Sequence, residues 1–260
     1  MKTDLKITLV QSVLAWEAPL ENLVHLSKLV DKIRKGSTHL ILLPEMFTTG
    51  FSMNAPKLAE PMNGKAVEWM IETAVKKNAV LCGSLIIKEK GKYFNRLLWA
   101  QPDGKIVHYD KRHLFTMAKE NKVYTPGKKK LIVNLMGWNI CPLVCYDLRF
   151  PVWSRSDGSV DLMLFVANWP SRRSYAWKHL LIARAIENQC YVAGLNRVGT
   201  DGENIAYTGD SMVLDPLGMP LNAIMPAAES VTTFILPLKP IKELRKSFPV
   251  LLDGDKFKIQ

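Results

Sequence analysis

Three residues in this chain carry the side chains of an acyl-transfer centre, and each stands at the end of an apolar run. Glu45 follows Ile41-Leu42-Leu43-Pro44, Lys111 follows Ile106–Tyr109 and Asp110, and Cys145 follows Ile140–Val144. Strand ends present side chains from a rigid frame into a crevice. There a carboxylate can take a thiol proton, the thiolate can attack a carbonyl carbon, and an ammonium can hold the resulting anion. After Cys145, Tyr146-Asp147-Leu148-Arg149 reads as the start of a helix. The thiol would then stand on a strand-to-helix bend, with backbone N–H groups pointing the same way. Each residue also has a plainer reading. Glu45 fits a helix-capping or surface acid. Lys111 beside Asp110, Arg112 and His113 fits a solvated charge cluster. Cys145 fits a small buried hydrophobe. Residue types alone leave both readings open.

The elements that must position these residues follow from periodicity. Leu5–Gln11 reads as a strand, and Pro19 opens a helix, with Leu23, Leu26, Val30 and Ile33 on one face, that Gly36 stops. His39–Leu43 is a continuous apolar run, as in strands buried on both faces. Gly64 to Asn78 reads as a helix and Ala79–Ile87 as a strand, joined by a Lys88–Lys92 turn to Tyr93–Ala100. Pro102-Asp103-Gly104 signals a turn before Ile106–Tyr109. Residues 110–130 read as a long loop, and loops of that length in compact domains are usually functional. Leu131–Leu135 and Asn139–Val144 flank Met136-Gly137-Trp138 as a hairpin, and Arg149–Ser156 reads as a short helix. Strands at Leu162–Ala167 and Tyr191–Asn196 bracket a helix over Arg173–Asn188, with Trp177, Leu180, Leu181, Ala183 and Ile186 on its apolar side. Ser211–Leu214, Ser230–Leu236 and a last helix, Ile241–Ser247, complete the pattern. The order shows two similar halves and fits two mixed sheets with helices outside each. The absence of a linker or composition shift predicts one domain over residues 1–260, with its core at about 5–237 and a C-terminal helix and tail at 238–260.

Composition narrows the class. The chain has 260 residues, 48% of them hydrophobic, enough for a sizeable core. Met1-Lys2-Thr3-Asp4 lead into a run too brief and too polar-flanked for a signal peptide, and no apolar run reaches the roughly 18 residues of a membrane span. The expectation is a cytoplasmic protein that makes no membrane contact. The four cysteines, Cys82, Cys141, Cys145 and Cys190, form no Cys-x-x-Cys pair, and the Cys141/Cys145 spacing lacks companion ligands for zinc. A disulfide framework is not expected in a chain of this length. The net charge of +11 raises nucleic-acid binding. Yet the basic clusters, Lys128-Lys129-Lys130 and the segment with Lys239, Lys242, Arg245, Lys246, Lys256 and Lys258, lack interleaved aromatics, and no helix-turn-helix or zinc-finger pattern is present. The reading is a solvated basic surface, without nucleic acid, metal, nucleotide or flavin.

Five stretches together resemble the nitrilase superfamily of carbon–nitrogen hydrolases. They are Leu42–Phe47, Tyr109–Phe115, Val144–Pro151, Ala167–Pro170 and Ala183–Gln189, in the family's order and spacing from about residue 5 to 237. The resemblance implies a four-layer α-β-β-α sandwich of two mixed β-sheets flanked by helices, dimerised through helices. It implies that Glu45 is the general base, Lys111 the cation at the tetrahedral intermediate and Cys145 the nucleophile, with no cofactor needed. Glu120 resembles a second glutamate that positions lysine or substrate, although Lys119-Glu120-Asn121-Lys122 also reads as a solvated loop.

The cysteine is followed by Tyr146-Asp147-Leu148-Arg149 rather than the Trp-Glu of true nitrilases, which favours an amidase. Asp147 and Arg149 are expected to pair locally and fix the turn. A backbone N–H near Tyr146 would complete the oxyanion site. Asn168-Trp169-Pro170-Ser171-Arg172-Arg173, with Ala176-Trp177, resembles the bacterial omega-amidase-like branch, whose substrates are 2-oxo dicarboxylic acid monoamides such as 2-oxoglutaramate. Such a substrate carries a distal carboxylate. Arg173, with Arg172 as the alternative, would clamp it, helped by the N-terminus of the following helix. Trp169 would wall the pocket or pack in the core. Deaminated glutathione or an N-carbamoyl compound remains an alternative substrate, and a non-catalytic binding module of the same fold is the alternative outside enzymes.

Overall fold

The computed structural model describes residues 4–221, 224–255, 257 and 259; Met1–Thr3, Lys256 and Lys258, which entered the sequence reading, lie outside them. The first half of the chain runs β1 (Leu5–Gln11), α1 (Pro19–Asp31), β2 (Leu40–Leu42), α2 (Ala55–Leu58), α3 (Lys65–Lys77), β3 (Val80–Glu89), β4 (Lys92–Ala100) and β5 (Ile106–Asp110). A short helix α4 (Glu120–Val123) leads to β6 (Val133–Leu135), β7 (Trp138–Val144), α5 (Pro151–Ser154), β8 (Leu162–Ala167), α6 (Ser174–Asn188) and β9 (Tyr191–Asn196). Then follow β10 (Val198–Thr200), β11 (Ala206–Thr208), β12 (Met212–Leu214), β13 (Ser230–Leu236) and α7 (Lys239–Ser247).

Two mixed sheets share one plan. The first has the order β13-β1-β2-β3-β4-β5 and the second β12-β9-β8-β7-β6. In each, three parallel strands form the middle, β1-β2-β3 and β9-β8-β7, and antiparallel strands flank them. The period-two alternation of a strand sorts the side chains of the first sheet into two cores. Leu5, Ile7, Leu9, Leu40, Leu42, Val80, Cys82, Leu97 and Trp99 face the second sheet. Val10, Ile41, Leu43, Leu81, Leu98 and Ala100 face α1 and α3, which bury Leu26, Val30, Val67, Met70 and Ala74 against them. On the far side, α6 lays Trp177, Leu181 and Ala185 on the second sheet. The result is the expected four-layer α-β-β-α sandwich. Among the described residues no helix is long and apolar enough to cross a membrane.

Several boundaries move for identifiable reasons. The first helix ends at Asp31 rather than running to Gly36, because the Lys77 ammonium takes the carbonyls of Ile33 at 2.8 Å and Asp31 at 3.4 Å. Both hairpin turns are shorter than expected. Lys90-Gly91 and Met136-Gly137 each hold two positive φ angles, the two-residue turn whose twist suits paired strands. Trp138 therefore starts β7, fully buried, instead of sitting in the turn. The expected helix over Arg149–Ser156 is a 3-10 turn over Cys145–Arg149 followed by α5, because Pro151 has no N–H to continue the first turn. The long loop at 110–130 contains a 3-10 turn, Thr116–Ala118, and α4. Ile186, expected on the apolar side of α6, is 51% exposed. The β10–β11 hairpin went unforeseen.

One close approach bears on the site. Gly127 donates its N–H to the Lys111 carbonyl at 2.9 Å, and a Cβ at Gly127 would stand 2.0 Å from the Asp110 carbonyl oxygen. Backbone, not a flexible side chain, would have to yield. Gly127→Ala is expected to destabilise the protein by about 1–3 kcal/mol, the usual cost of overpacking. A urea-unfolding midpoint equal to that of the parent would show that the loop relaxes freely.

Candidate active site

Four strand ends converge between the sheets. Glu45 follows β2, the middle of the first parallel trio, and Asn168 follows β8, the middle of the second. Lys111 follows β5, held by its N–H to the Asn95 carbonyl at 2.9 Å. Cys145 follows β7 with φ +43°, a left-handed backbone that a non-glycine residue adopts only when its surroundings impose it.

The polar side chains that meet here are buried. The Lys111 Nζ donates to Glu45 Oε1 at 2.9 Å and to both Glu120 oxygens at 3.0 Å, with all three side chains at 0% exposure. Asn95 Nδ2 bridges the carboxylates, at 2.8 Å from Glu45 Oε1 and 3.2 Å from Glu120 Oε1. Its Oδ1 accepts from Ser84 Oγ at 2.8 Å, which fixes the amide's orientation. The Asn168 N–H reaches Glu45 Oε2 at 2.8 Å, its Nδ2 reaches the Glu45 carbonyl at 2.6 Å, and its own carbonyl lies 3.9 Å from Cys145 Sγ. The Phe115 N–H donates to Glu120 Oε2 at 2.5 Å, tying the mouth of the site to the lysine's second carboxylate.

These contacts set the charges. Burial pushes the Cys145 thiol well above the ordinary thiol range, and the Glu45 carboxylate, within hydrogen-bond reach, pushes it further than the Lys111 charge pulls it back. For Lys111, burial works against the ammonium, but Glu120 and then Glu45 more than offset it and hold the proton on. Glu120 is raised by burial, with Lys111 only partly opposing. The resting centre is thus a neutral thiol beside a carboxylate, with an ammonium held next to both. It can transfer the thiol proton to Glu45 as a substrate is attacked, and Lys111 can meet the charge that develops.

The sequence-derived residues fall into two groups. Cys145, Lys111, Tyr146, Trp169, Arg172 and Arg173 line one cavity of about 630 Å³. Glu45 and Glu120 stand behind it, against Lys111. Tyr146 sits edge-on to Phe115 and Phe150. Trp169 answers to both of its readings, since it lines the cavity and also packs 5.4 Å from Trp177. Arg173 lies over the Phe115 ring at 5.2 Å. Two expectations need correction. Asp147 does not pair with Arg149. Its carboxylate turns inward to Val144, Tyr109 and His113. Arg149 instead lies 4.8 Å over the Trp169 ring and lines the cavity. The start of α6, expected to assist the anion site, is faced by Asp210, which bonds Ser174 Oγ at 2.7 Å and Lys178 at 2.7 Å. Sequence reasoning also missed Asn95, an unremarkable strand residue, and Tyr207 and Asp201 of the unforeseen hairpin region, which form another wall.

The charged groups around the cavity are unequally engaged. Glu17 is taken by Ser52 and Asn54. Asp201 is taken by Tyr207 and two backbone N–H groups. Among the described residues Arg149, Arg172 and Arg173 form no ion pair with a carboxylate, while Glu203 is left at the exposed rim. The cavity therefore has free capacity for an anion.

Two mixed sheets between helices thus bring a thiol within reach of a carboxylate and of a carboxylate-held lysine. The chain belongs to the carbon–nitrogen hydrolase family, whose model matches residues 6–246. This bears out the resemblance to the nitrilase superfamily. The chain is 46% identical over 255 residues to omega-amidase YafV of Yersinia enterocolitica, covering 98% of each protein. It is 33% identical over 252 residues to 2-oxoglutaramate amidase of Bacillus subtilis, covering 95% of this chain and 96% of the relative. The crystal structure of XC1258 from Xanthomonas campestris, a CN-hydrolase superfamily protein with an arsenic adduct in its active site, matches at a TM-score of 0.96 and 46% identity over 99% of each chain.

The raised thiol has a measurable signature. An ordinary cysteine is half ionised near about pH 8.5, so its alkylation rate levels off at about pH 10. Cys145, with its pKa pushed up, should react with iodoacetamide at a rate that still climbs beyond about pH 10. A plateau below pH 8 would mean that Lys111, not Glu45 and burial, governs the thiol.

Proposed function

We propose that this protein is an amidase that hydrolyses the terminal amide of a small 2-oxo dicarboxylic acid monoamide, such as 2-oxoglutaramate, to acid and ammonia. The observation that carries the reading is the buried Glu45–Lys111 pair beside Cys145, in a cavity lined by three guanidinium groups that form no ion pair with a carboxylate among the described residues. The omega-amidase and 2-oxoglutaramate amidase relatives, similar over nearly the whole chain, support the substrate class.

Glu45 accepts the Cys145 proton as Sγ attacks the amide carbon. Lys111 and a backbone N–H near Tyr146 hold the oxyanion, and Glu120 holds Lys111. Glu45 returns the proton to the leaving nitrogen, and ammonia departs from a thioester. The same carboxylate then activates water, which releases the acid and restores the thiol. Arg173, assisted by Arg172 and Arg149, takes the distal carboxylate, and Trp169 walls the acyl chain. The enzyme works in the cytoplasm, in keeping with four free, buried thiols. It works as a homodimer. Tyr175 and Ile186 on the outer side of α6 are 77% and 51% exposed, and Leu217 and Met219 at 60% and 62% flank Gly218, which sits on Ile182 and Ile186. This apolar face suits a second copy.

Ammonia release measured across 2-oxoglutaramate, glutamine, deaminated glutathione and an N-carbamoyl compound tests the substrate. The 2-oxo monoamide should lead, and preference for another compound would redirect the reading. Cys145→Ala should release no ammonia, and measurable turnover would sink the assignment of the nucleophile. Arg173→Met should raise KM for the anionic substrate roughly ten- to hundred-fold, as expected for a lost charge-assisted bond, while sparing a neutral amide of equal length.

A further inference from the structure

Asp147 is fully buried two residues beyond the thiol and does not line the cavity, so it is not placed to touch a substrate. Its carboxylate nevertheless ties together the two segments that carry the reacting groups. Oδ2 accepts from the Val144 N–H at 3.1 Å and the Tyr109 hydroxyl at 2.7 Å. Oδ1 accepts from the His113 N–H at 3.0 Å and from His113 Nδ1 at 2.7 Å. A carboxylate offers only acceptors here, so Nδ1 carries a proton. Val144 immediately precedes Cys145, while Tyr109 and His113 stand two residues to either side of Lys111.

The clamp is braced from behind. The Tyr109 oxygen also accepts from Trp153 Nε1 at 2.9 Å and from the Arg112 N–H at 3.3 Å. The His113 ring lies flat on Phe150, with centroids 3.8 Å apart and planes 8° from parallel. Phe150 belongs to the segment that follows the thiol-bearing turn, so the ring contact and the carboxylate join the same two segments twice.

We propose that the Asp147–His113 pair is a positioning device that sets the separation of Cys145 from Lys111, and that turnover depends on it without either residue meeting the substrate. The inference rests on the roles given above to Cys145 and Lys111. The substrate carbonyl has its carbon at Sγ and its oxygen at Nζ, so both must hold their spacing as charge develops. A displacement of about 1 Å can cost on the order of a hundredfold in rate. The left-handed backbone of Cys145 would relax if its neighbours allowed it, and Val144 is one of those neighbours.

The experiment compares parent, His113→Ala and His113→Asn. His113→Ala removes one hydrogen bond and the ring contact but leaves both backbone bonds to Asp147. His113→Asn returns an N–H near the place of Nδ1. In His113→Ala, kcat should fall roughly ten- to hundred-fold with KM kept within about twofold, and iodoacetamide should alkylate Cys145 more slowly. His113→Asn should restore most of the kcat. A His113→Ala enzyme with kcat within about twofold of the parent overturns the proposal, as does a loss that His113→Asn fails to restore. If the parent cleaves no amide, the functional reading fails on its own. The alkylation rates then decide, and equal rates in parent and His113→Ala count against the clamp. Should His113→Ala not fold, Asp147→Asn, which keeps the shape and exchanges an acceptor for a donor, is read in the same way, and unaltered turnover there is equally decisive against the proposal.

Discussion

The ammonium of Lys111 is buried between two carboxylates, and most of the site answers to that fact. An isolated ammonium costs several kcal/mol to desolvate, which is tolerable only when partners are close and their remaining lone pairs are met. Glu45 and Glu120 supply the charge, and Asn95, Phe115 and Asn168 supply the donors that complete the carboxylates. These partners come from β4, from the loop after β5 and from the end of β8, so both sheets must close before the cluster is satisfied. Burial first, and the nearby Glu45 carboxylate second, also keep the neighbouring thiol protonated.

The shared plan of the two sheets explains where this cluster sits. Parallel strands emerge from the middle of each sheet in a common direction, and open sheets place their sites at such strand ends. Facing two of these sheets brings Glu45 and Asn168, the residues after the two central strands, into direct hydrogen-bond contact. The apolar layer beneath is continuous, from Leu9 and Leu42 on one sheet to Leu164 and Val166 on the other. A close-packed interior of this kind yields little to strain, so the polar groups at its edge are held by a stiff layer.

Strand ends and helical periodicity make much of this legible in the sequence. Glu45, Lys111 and Cys145 each follow a run whose apolar pattern places them, and the motifs around them carry the fold. What escapes is interaction at a distance. Asp147 has a plausible side-chain partner two residues away in Arg149, yet its actual side-chain partners lie 34 and 38 residues off, and a one-dimensional reading favours the near one. Arg149 is thereby freed for the cavity, a role that no local pattern announces. The β10–β11 hairpin is hidden because three-residue strands are too short for alternation to register. Helix ends shift where a distant side chain intervenes, as Lys77 does beyond Asp31.

The strand β13 closes the first sheet from the far end of the chain, pairing with β1 over all seven residues from Leu5↔Leu236 to Gln11↔Ser230. β1 lies beside β2, and Glu45 follows β2. During synthesis, every residue of the centre has left the ribosome well before β13 exists. The first sheet until then ends in an unpaired β1 edge, and such non-local pairings form late. The completed protein therefore gains the last edge of its first sheet only after every other strand of both sheets has been made.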